Sequence, residues 1–166
     1  MAGALHSYSG QALTLLGDKG RYVVPPDFRR IVKESSDGNR TLCLAKHDRW
    51  DCLIGFGLSR EADLEKELDR EQDAALRLGR DFDRELRSLD IYGFERIPFD
   101  ESGRFTMPDF IKSEGQIDDT LFYRGAGQFF TIWNPDVLFE QGDEFRALKA
   151  VCKSLLASSD AKGKRK

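Results

Sequence analysis

Cysteine and histidine are scarce in this chain. Its three cysteines, Cys43, Cys52 and Cys152, are an odd number at irregular spacing; that is no disulfide framework, and reduced thiols are expected. His6 and His47 are the only histidines, which leaves few side chains able to exchange protons near neutral pH. A Gly-x-Ser-x-Gly elbow and a Walker lysine are both missing, and with them the usual starting points for a hydrolase or a nucleotide-binding enzyme. No run reaches the roughly 18 uninterrupted apolar residues of a membrane span. Residues 1–10 lack the basic start and apolar stretch of a secretion signal. These absences argue against an enzyme, a small-molecule substrate, a cofactor and a membrane partner, and a cytoplasmic protein is expected.

With 166 residues, 40% of them hydrophobic, the chain can bury one sizeable core or two small ones that share an interface. The formal charge of −3 is unevenly spread. Residues 1–58 carry eight Lys or Arg against six Asp or Glu, a surplus of two, so the remainder holds −5. Phosphate binding needs local rather than total positive charge, and a homo-oligomer that aligned its N-terminal halves would multiply that surplus. Ordinary solvated charge accounts for the same counts.

The chain repeats itself. Gly-Arg-Tyr-Val-Val-Pro-Pro-Asp-Phe at 20–28 returns as Gly-Arg-Phe-Thr-Met-Pro-Asp-Phe at 103–110, an offset of 83 between Arg21 and Arg104. Thr41-Leu42-Cys43-Leu44 through Trp50 and Leu53 returns as Thr120-Leu121-Phe122-Tyr123 through Phe129 and Ile132, at an offset of 79. A loop of turn-forming residues at 35–39 absorbs the difference. Each repeat parses as an apolar strand (11–16; 93–99), a tight turn ending in Gly-Arg, and a short strand reaching a proline. A short helix and a hairpin follow (41–45 with 51–56; 121–124 with 129–133). Gly20 and Gly103 suit the positive φ of such turns.

Between the repeats, Leu64, Leu68, Ala75, Leu78, Phe82, Leu86 and Leu89 fall on one face of a helix over 59–89. Ser59 is the expected cap, Asp73 with Arg77 or Asp83 with Arg87 the expected pairs four apart, and Gly79 a break point. The stripe either packs onto the chain's own barrel, the plainer reading, or forms a partner-binding seam. A last helix is expected over 143–156. The expected architecture is mainly β with helices: a first repeat at 8–57, a helical connector at 58–90, a second repeat at 91–138, a C-terminal helix at 139–157 and a disordered basic tail at 158–166.

The doubled Gly-Arg turns, each followed by a proline and a basic residue, and the Asp-x-x-Gly-Arg run that begins at Asp100, resemble the MraZ family. Members of that family regulate the bacterial division and cell-wall gene cluster, and their subdomains are of the SpoVT and AbrB type. The resemblance covers residues 8–156. It implies two AbrB-like halves interlocked as a swapped-hairpin β-barrel. It further implies a ring-like homo-oligomer that represses transcription by laying basic turns along repeated promoter boxes of double-stranded DNA, in the nucleoid.

Carried over, the first motif falls on Lys19, Gly20, Arg21, Pro25, Phe28 and Arg29, and the second on Asp100, Gly103, Arg104, Pro108 and Lys112. Lys19, Arg21, Arg29 and Arg30 are the expected DNA contacts; Asp100, Arg104 and Lys112 are DNA or interface contacts. A guanidinium on a stiff turn can fork onto guanine or clasp a phosphate. Arg29 and Arg30 either grip the DNA backbone or pair with Asp27 and its neighbours. Arg104, beside Asp100, reads rather as a structural ion pair. Gly17 departs from the pattern, since the aspartate of the second repeat has no equivalent there; Arg21 is then freer, or held by Asp18 in another geometry. An alternative is an AbrB-like antitoxin or a scaffold whose helical connector binds a protein.

Rival chemistries have plainer explanations. Cys43, His47 and Cys52 have a spacing that suggests zinc, but no fourth ligand is evident; they read as strand hydrophobes and a hairpin tip. Gly125-Ala126-Gly127 opens no helix and reads as a hairpin turn rather than a phosphate cradle. Trp50, Trp133, Phe129 and Phe130 could stack on bases, but aromatics in short strands are more often core.

Overall fold

The computed structural model describes residues 6–164, with side chains described as far as residue 160. The first repeat forms β1 (Gln11–Leu15), β2 (Tyr22–Val23), α1 (Pro26–Ser35), β3 (Thr41–Lys46) and β4 (Leu53–Phe56). A 3₁₀ stretch, Leu58–Asp63, leads into α2 (Leu64–Arg77) and α3 (Arg84–Ile91). The second repeat gives β5 (Glu95–Pro98), β6 (Arg104–Phe105), α4 (Asp109–Glu114), β7 (Thr120–Gly125) and β8 (Phe130–Trp133). The chain ends with α5 (Pro135–Phe139), a 3₁₀ turn (Asp143–Phe145) and α6 (Arg146–Lys164). Among the described residues, no helix is long and apolar enough to cross a membrane.

The two repeats exchange their first strands. β1 pairs antiparallel with β7 of the other repeat, Leu13 opposite Phe122, and β5 pairs with β3, Ile97 opposite Leu42. β4 and β8 join the two hairpins, Ile54 opposite Thr131, which completes a six-stranded sheet in the order β1-β7-β8-β4-β3-β5. β2 and β6 pair with each other as a separate ribbon, Val23 opposite Arg104. Every strand therefore has a partner in the other repeat.

Alternation along β7 gives this sheet two covered faces. Leu121 and Tyr123 point into the main core with Phe28, Phe130 and Ile132, while Phe122 points to a second cluster with Trp133, Phe145 and Cys152. Phe28 on α1 sits at the centre of the first: its ring lies 5.0 Å from that of Phe130 and 6.0 Å from that of Tyr123. Cutting back such a buried aromatic costs about 3–5 kcal/mol. Its counterpart in the second repeat is Ile111, 1% exposed, and not Phe110, which is 52% exposed. Pro25-Pro26-Asp27-Phe28 has one residue more than Pro108-Asp109-Phe110, so matching the phenylalanines by letter slips the helix by one position.

The connector departs from a single helix packed along its length. Leu64 and Leu68 are buried, but Leu76, Leu78, Leu86 and Leu89 are exposed. α2 ends where Gly79 turns to φ 65: its N–H bonds to the Leu76 carbonyl and that of Arg80 to the Ala75 carbonyl, the paired closure of a left-handed cap. Ser59 does not cap α2; its hydroxyl bonds to that of Ser35 at 2.6 Å. Asp83 does not pair with Arg87 but caps α3, accepting from the Leu86 N–H. Arginines hold α3 on α2. Arg87 grips Glu71 with two donors, and Arg84 reaches Asp69 at 2.8 Å and Glu65 at 3.1 Å.

At the C-terminus, α6 runs on through residues 158–164, where a disordered tail was expected. Residues 157–162 hold no proline or glycine, so nothing there interrupts the helical ladder. Arg165 and Lys166, the end of that expected tail, lie outside the described residues.

One close approach ties the N-terminal segment to the sheet. A Cβ on Gly125 would lie 2.5 Å from the backbone of Tyr8 and Ser9, which cannot move aside as a flexible side chain can. Gly125→Ala is expected to cost about 2 kcal/mol and lower the melting temperature by roughly 4–8 °C, as read by circular dichroism; an unchanged melting curve would mean the segment is not held there.

Candidate nucleic-acid interface

The β2–β6 ribbon brings the two Gly-Arg turns side by side. Each turn is closed by one backbone bond across its mouth, from the Gly17 N–H to the Arg21 carbonyl at 2.8 Å and from the Asp100 N–H to the Arg104 carbonyl at 2.9 Å. A bond from the Val24 N–H to the Gly103 carbonyl at 2.8 Å ties one turn to the other strand. Gly20 and Gly103 have φ 67 and 83, as such turns require. Lys19 is also left-handed, at φ 61, and exposed. A lysine there carries backbone strain that surrounding bonds must hold.

Asp100 organises the basic side chains. Its Oδ1 accepts from the backbone N–H groups of Ser102 and Arg104, both at 2.9 Å, and its Oδ2 accepts from Arg104 Nε at 2.8 Å. Hydrogen bonds from the Arg104 backbone, then its guanidinium and Ser102, hold the carboxyl below the usual carboxylate range against an opposing effect of burial. Arg21 Nη1 approaches the same Oδ2 at 3.8 Å, and Arg21 Nε is buried without a hydrogen-bond partner. Arg21 thus faces Asp100 of the other repeat rather than Asp18, at a distance beyond a hydrogen bond.

The other basic residues differ in how free they are. Arg29 does not pair with Asp27; Nε and Nη2 both donate to the Val24 carbonyl, at 3.3 and 3.2 Å. Arg30 is exposed and reaches Glu34 at 3.7 Å, a contact of little energy. Lys112 lies half-buried, its ammonium 6.0 Å from the centre of the Tyr22 ring. Lys19 and Arg21 are therefore joined on one surface by Arg104 and Asp100, while the Arg29 guanidinium lies against Gly103 of the second turn, engaged by the Val24 carbonyl. The reach of Asp100 across the repeats has no sequence signal, because it depends on the β2–β6 pairing.

The rival chemistries find plain roles. Cys43 lies in the main core and Cys52 in the second cluster, and burial pushes both thiols up, Cys43 to about 12. His47 Nδ1 accepts the N–H groups of Arg49 and Trp50, both at 3.1 Å, so its approach to Asp48 at 3.3 Å is not an ion pair. Burial pushes the imidazole below its ordinary value, with Asp48 opposing. No group of three or more metal-ligating side chains occurs among the described residues. Gly127 pairs with Tyr8 as an edge bridge, and Trp133 and Phe130 are fully buried.

An arginine of the connector was not foreseen. Arg60, buried, lies between the rings of Phe56 and Phe129, each 5.4 Å away, and donates to Gln128 at 2.8 Å and Glu67 at 3.0 Å. No spacing announces it: Arg60 and Glu67 are seven apart, beyond the three or four at which helical side chains pair, and Arg60 lies in the 3₁₀ stretch before α2.

No protein-family model matches the chain. It is 29% identical over 138 residues to the transcriptional regulator MraZ of Maridesulfovibrio salexigens, covering 81% of this chain and 87% of that protein. It is 32% identical over 126 residues to the transcriptional regulator MraZ of Rhodospirillum rubrum, covering 72% and 74%. A relative of the same name in Roseiflexus castenholzii is 24% identical over 128 residues, 77% of this chain and 81% of the relative. Identity at this level along most of both chains, together with a duplicated Gly-Arg turn on a strand-exchanged sheet, shows that the chain belongs to the MraZ family of transcriptional regulators.

Proposed function

We propose that the chain is a sequence-specific DNA-binding regulator, a repressor of the division and cell-wall gene cluster that covers repeated promoter boxes as a ring-like homo-oligomer. The observation that carries this reading is the pair of basic turns, joined by the β2–β6 ribbon on a rigid sheet with Lys19 and Arg21 at its surface. A stiff turn loses little entropy when its guanidinium forks onto a base edge, so Arg21 reads sequence. Lys19 is a phosphate contact, which adds affinity without sequence preference. Arg30, held only weakly by Glu34, can exchange it for a phosphate. Arg29 is engaged by the Val24 carbonyl and supports the turn. Arg104 is anchored at Nε by Asp100, and Lys112 lies over the Tyr22 ring of the ribbon.

Repression follows from occupancy: a protein seated on promoter boxes excludes polymerase and needs neither cofactor nor substrate. One protomer offers a single small positive surface, and repetition of that surface in a homo-oligomer matches repeated boxes. The exposed leucines of α2 and α3 favour such assembly, because an apolar face left in water is unfavourable. They equally suit the second reading, an antitoxin-like or scaffolding module whose connector binds another protein. The protein acts in the cytoplasm, on the nucleoid.

Gel shifts on the DNA upstream of the chain's own reading frame test the first reading. Arg21→Ala is expected to lose at least about tenfold in affinity for that DNA while the oligomer, read by light scattering, survives. Lys19→Ala should weaken binding to all sequences alike and flatten the salt dependence by about one unit of slope per protomer contact. Wild-type affinity in Arg21→Ala would remove that residue from the interface. Leu86→Glu combined with Leu89→Glu should leave the circular dichroism spectrum intact and reduce the oligomer mass. An unchanged mass would assign the leucine face to a different protein.

A further inference from the structure

The two Gly-Arg turns rest on different anchors. In the second, the Asp100 carboxylate holds two backbone N–H groups and the Arg104 guanidinium. Gly17 stands at the same place in the first repeat, 83 residues earlier, so that turn closes through the backbone alone and twists Lys19 into the left-handed region. The Arg21 guanidinium has no carboxylate at the matching place in its own turn to hold it. It lies instead at 3.8 Å from Asp100 Oδ2, an oxygen already taken by Arg104 at 2.8 Å. Two cations share one oxygen, and the nearer dominates.

We propose that Asp100 is the positioning residue for Arg21 as well as for Arg104, one carboxylate aiming both basic turns across the repeat boundary, with Arg21 left as the adjustable arginine because position 17 is glycine. This inference rests on the DNA-binding reading above. Arg104, with its carboxylate bonded at two atoms, is the fixed reference. Arg21 keeps its Nη groups largely uncommitted and needs only a small swing to reach a base edge or a phosphate. At 3.8 Å, and with both partners partly exposed, the pair adds little to stability; its effect is to bias where the guanidinium points.

The sign of the effect separates positioning from bulk electrostatics. A carboxylate on a DNA-facing surface repels phosphate, so its removal alone strengthens binding to every duplex. Loss of a positioning group weakens binding to the specific site instead. The experiment compares wild type, Asp100→Asn, Gly17→Asp and the double variant. Each is titrated against the duplex immediately upstream of the reading frame and against mixed-sequence genomic duplex. Asparagine keeps an oxygen for the Ser102 and Arg104 N–H groups, so the second turn is retained. Gly17→Asp is sterically open: the backbone is extended at φ −101, and the nearest atom to a new Cβ is the Arg21 carbonyl at 3.5 Å.

Asp100→Asn is expected to lose roughly tenfold in affinity for the upstream duplex with no loss on mixed-sequence DNA. In the Gly17→Asp background the same change should cost less than about twofold, because the first turn then has its own carboxylate. Parallel strengthening on both duplexes in Asp100→Asn, or an undiminished loss in the Gly17→Asp background, overturns the proposal. A readout without DNA keeps the two questions apart: the Arg21 Nε–Hε group, followed by NMR in the free protein, should become more mobile in Asp100→Asn. Unchanged order there also overturns positioning, whereas failure of wild type to bind any duplex overturns only the DNA-binding reading.

Discussion

The structure depends on one pairing: the first strand of each repeat finds its hydrogen bonds in the other repeat. β1 on β7 and β5 on β3 leave neither half able to complete its sheet alone. Register is fixed because β7 is covered on both faces; a one-residue slip would send Phe122 into the space of Leu121 and Tyr123. Side-chain bonds reinforce the same exchange, since Tyr22 donates to the Asp118 carbonyl at 2.9 Å and Tyr123 to the Val23 carbonyl at 2.8 Å. Strand exchange also sets the outer surface. With β1 and β5 placed on opposite hairpins, the turns that follow them meet at the β2–β6 ribbon, and so Arg21 and Asp100 can touch although they are far apart in sequence.

Much of this was legible because local chemistry is repeated. The Gly-Arg turns, the prolines before α1 and α4 and the two hairpins are all encoded within a few residues, and the structure has them within one or two positions. What strand pairs with what strand is not a local property, and here it came only from the family resemblance. The misreadings share a cause. Phe110 matches Phe28 by letter, but burial follows helix phase, which selects Ile111. The Asp83–Arg87 spacing fits an ion pair, yet Asp83 sits at a helix start where backbone N–H groups compete for its carboxylate. Leucine periodicity in the connector reports an apolar face without saying what covers it.

The connector shows arginine doing what leucine was expected to do. Arg84 and Arg87 hold α3 against α2 through carboxylates that are mostly exposed, so each contact adds little and weakens with salt. Nearer the sheet, Arg60 is buried between two rings, where a guanidinium gains from both faces and from its bonds to Gln128 and Glu67. Phe129 and Gln128 belong to the second repeat and Phe56 to the first, so Arg60 clamps the two. Its unsatisfied Nε is the cost of that position. The root of the arm is therefore firm, and its apolar face farther out is open.

Duplication gives two turns, but it does not require them to stay equivalent. The sheet constrains the strands strongly, because each is paired and the central ones are buried, whereas the turns sit outside it and tolerate change. A carboxylate that accepts three donors, as Asp100 does, makes its turn stiff and fixes its arginine at Nε. A glycine at the matching site removes that anchor and leaves the Arg21 Nε without a partner. A surface that reads a polyanion gains from having both kinds: a fixed cation loses no entropy in registering the molecule, and an adjustable one meets whichever acceptor the sequence presents. The asymmetry at Gly17 and Asp100 is thus the point at which two copies of one motif take up different physical tasks.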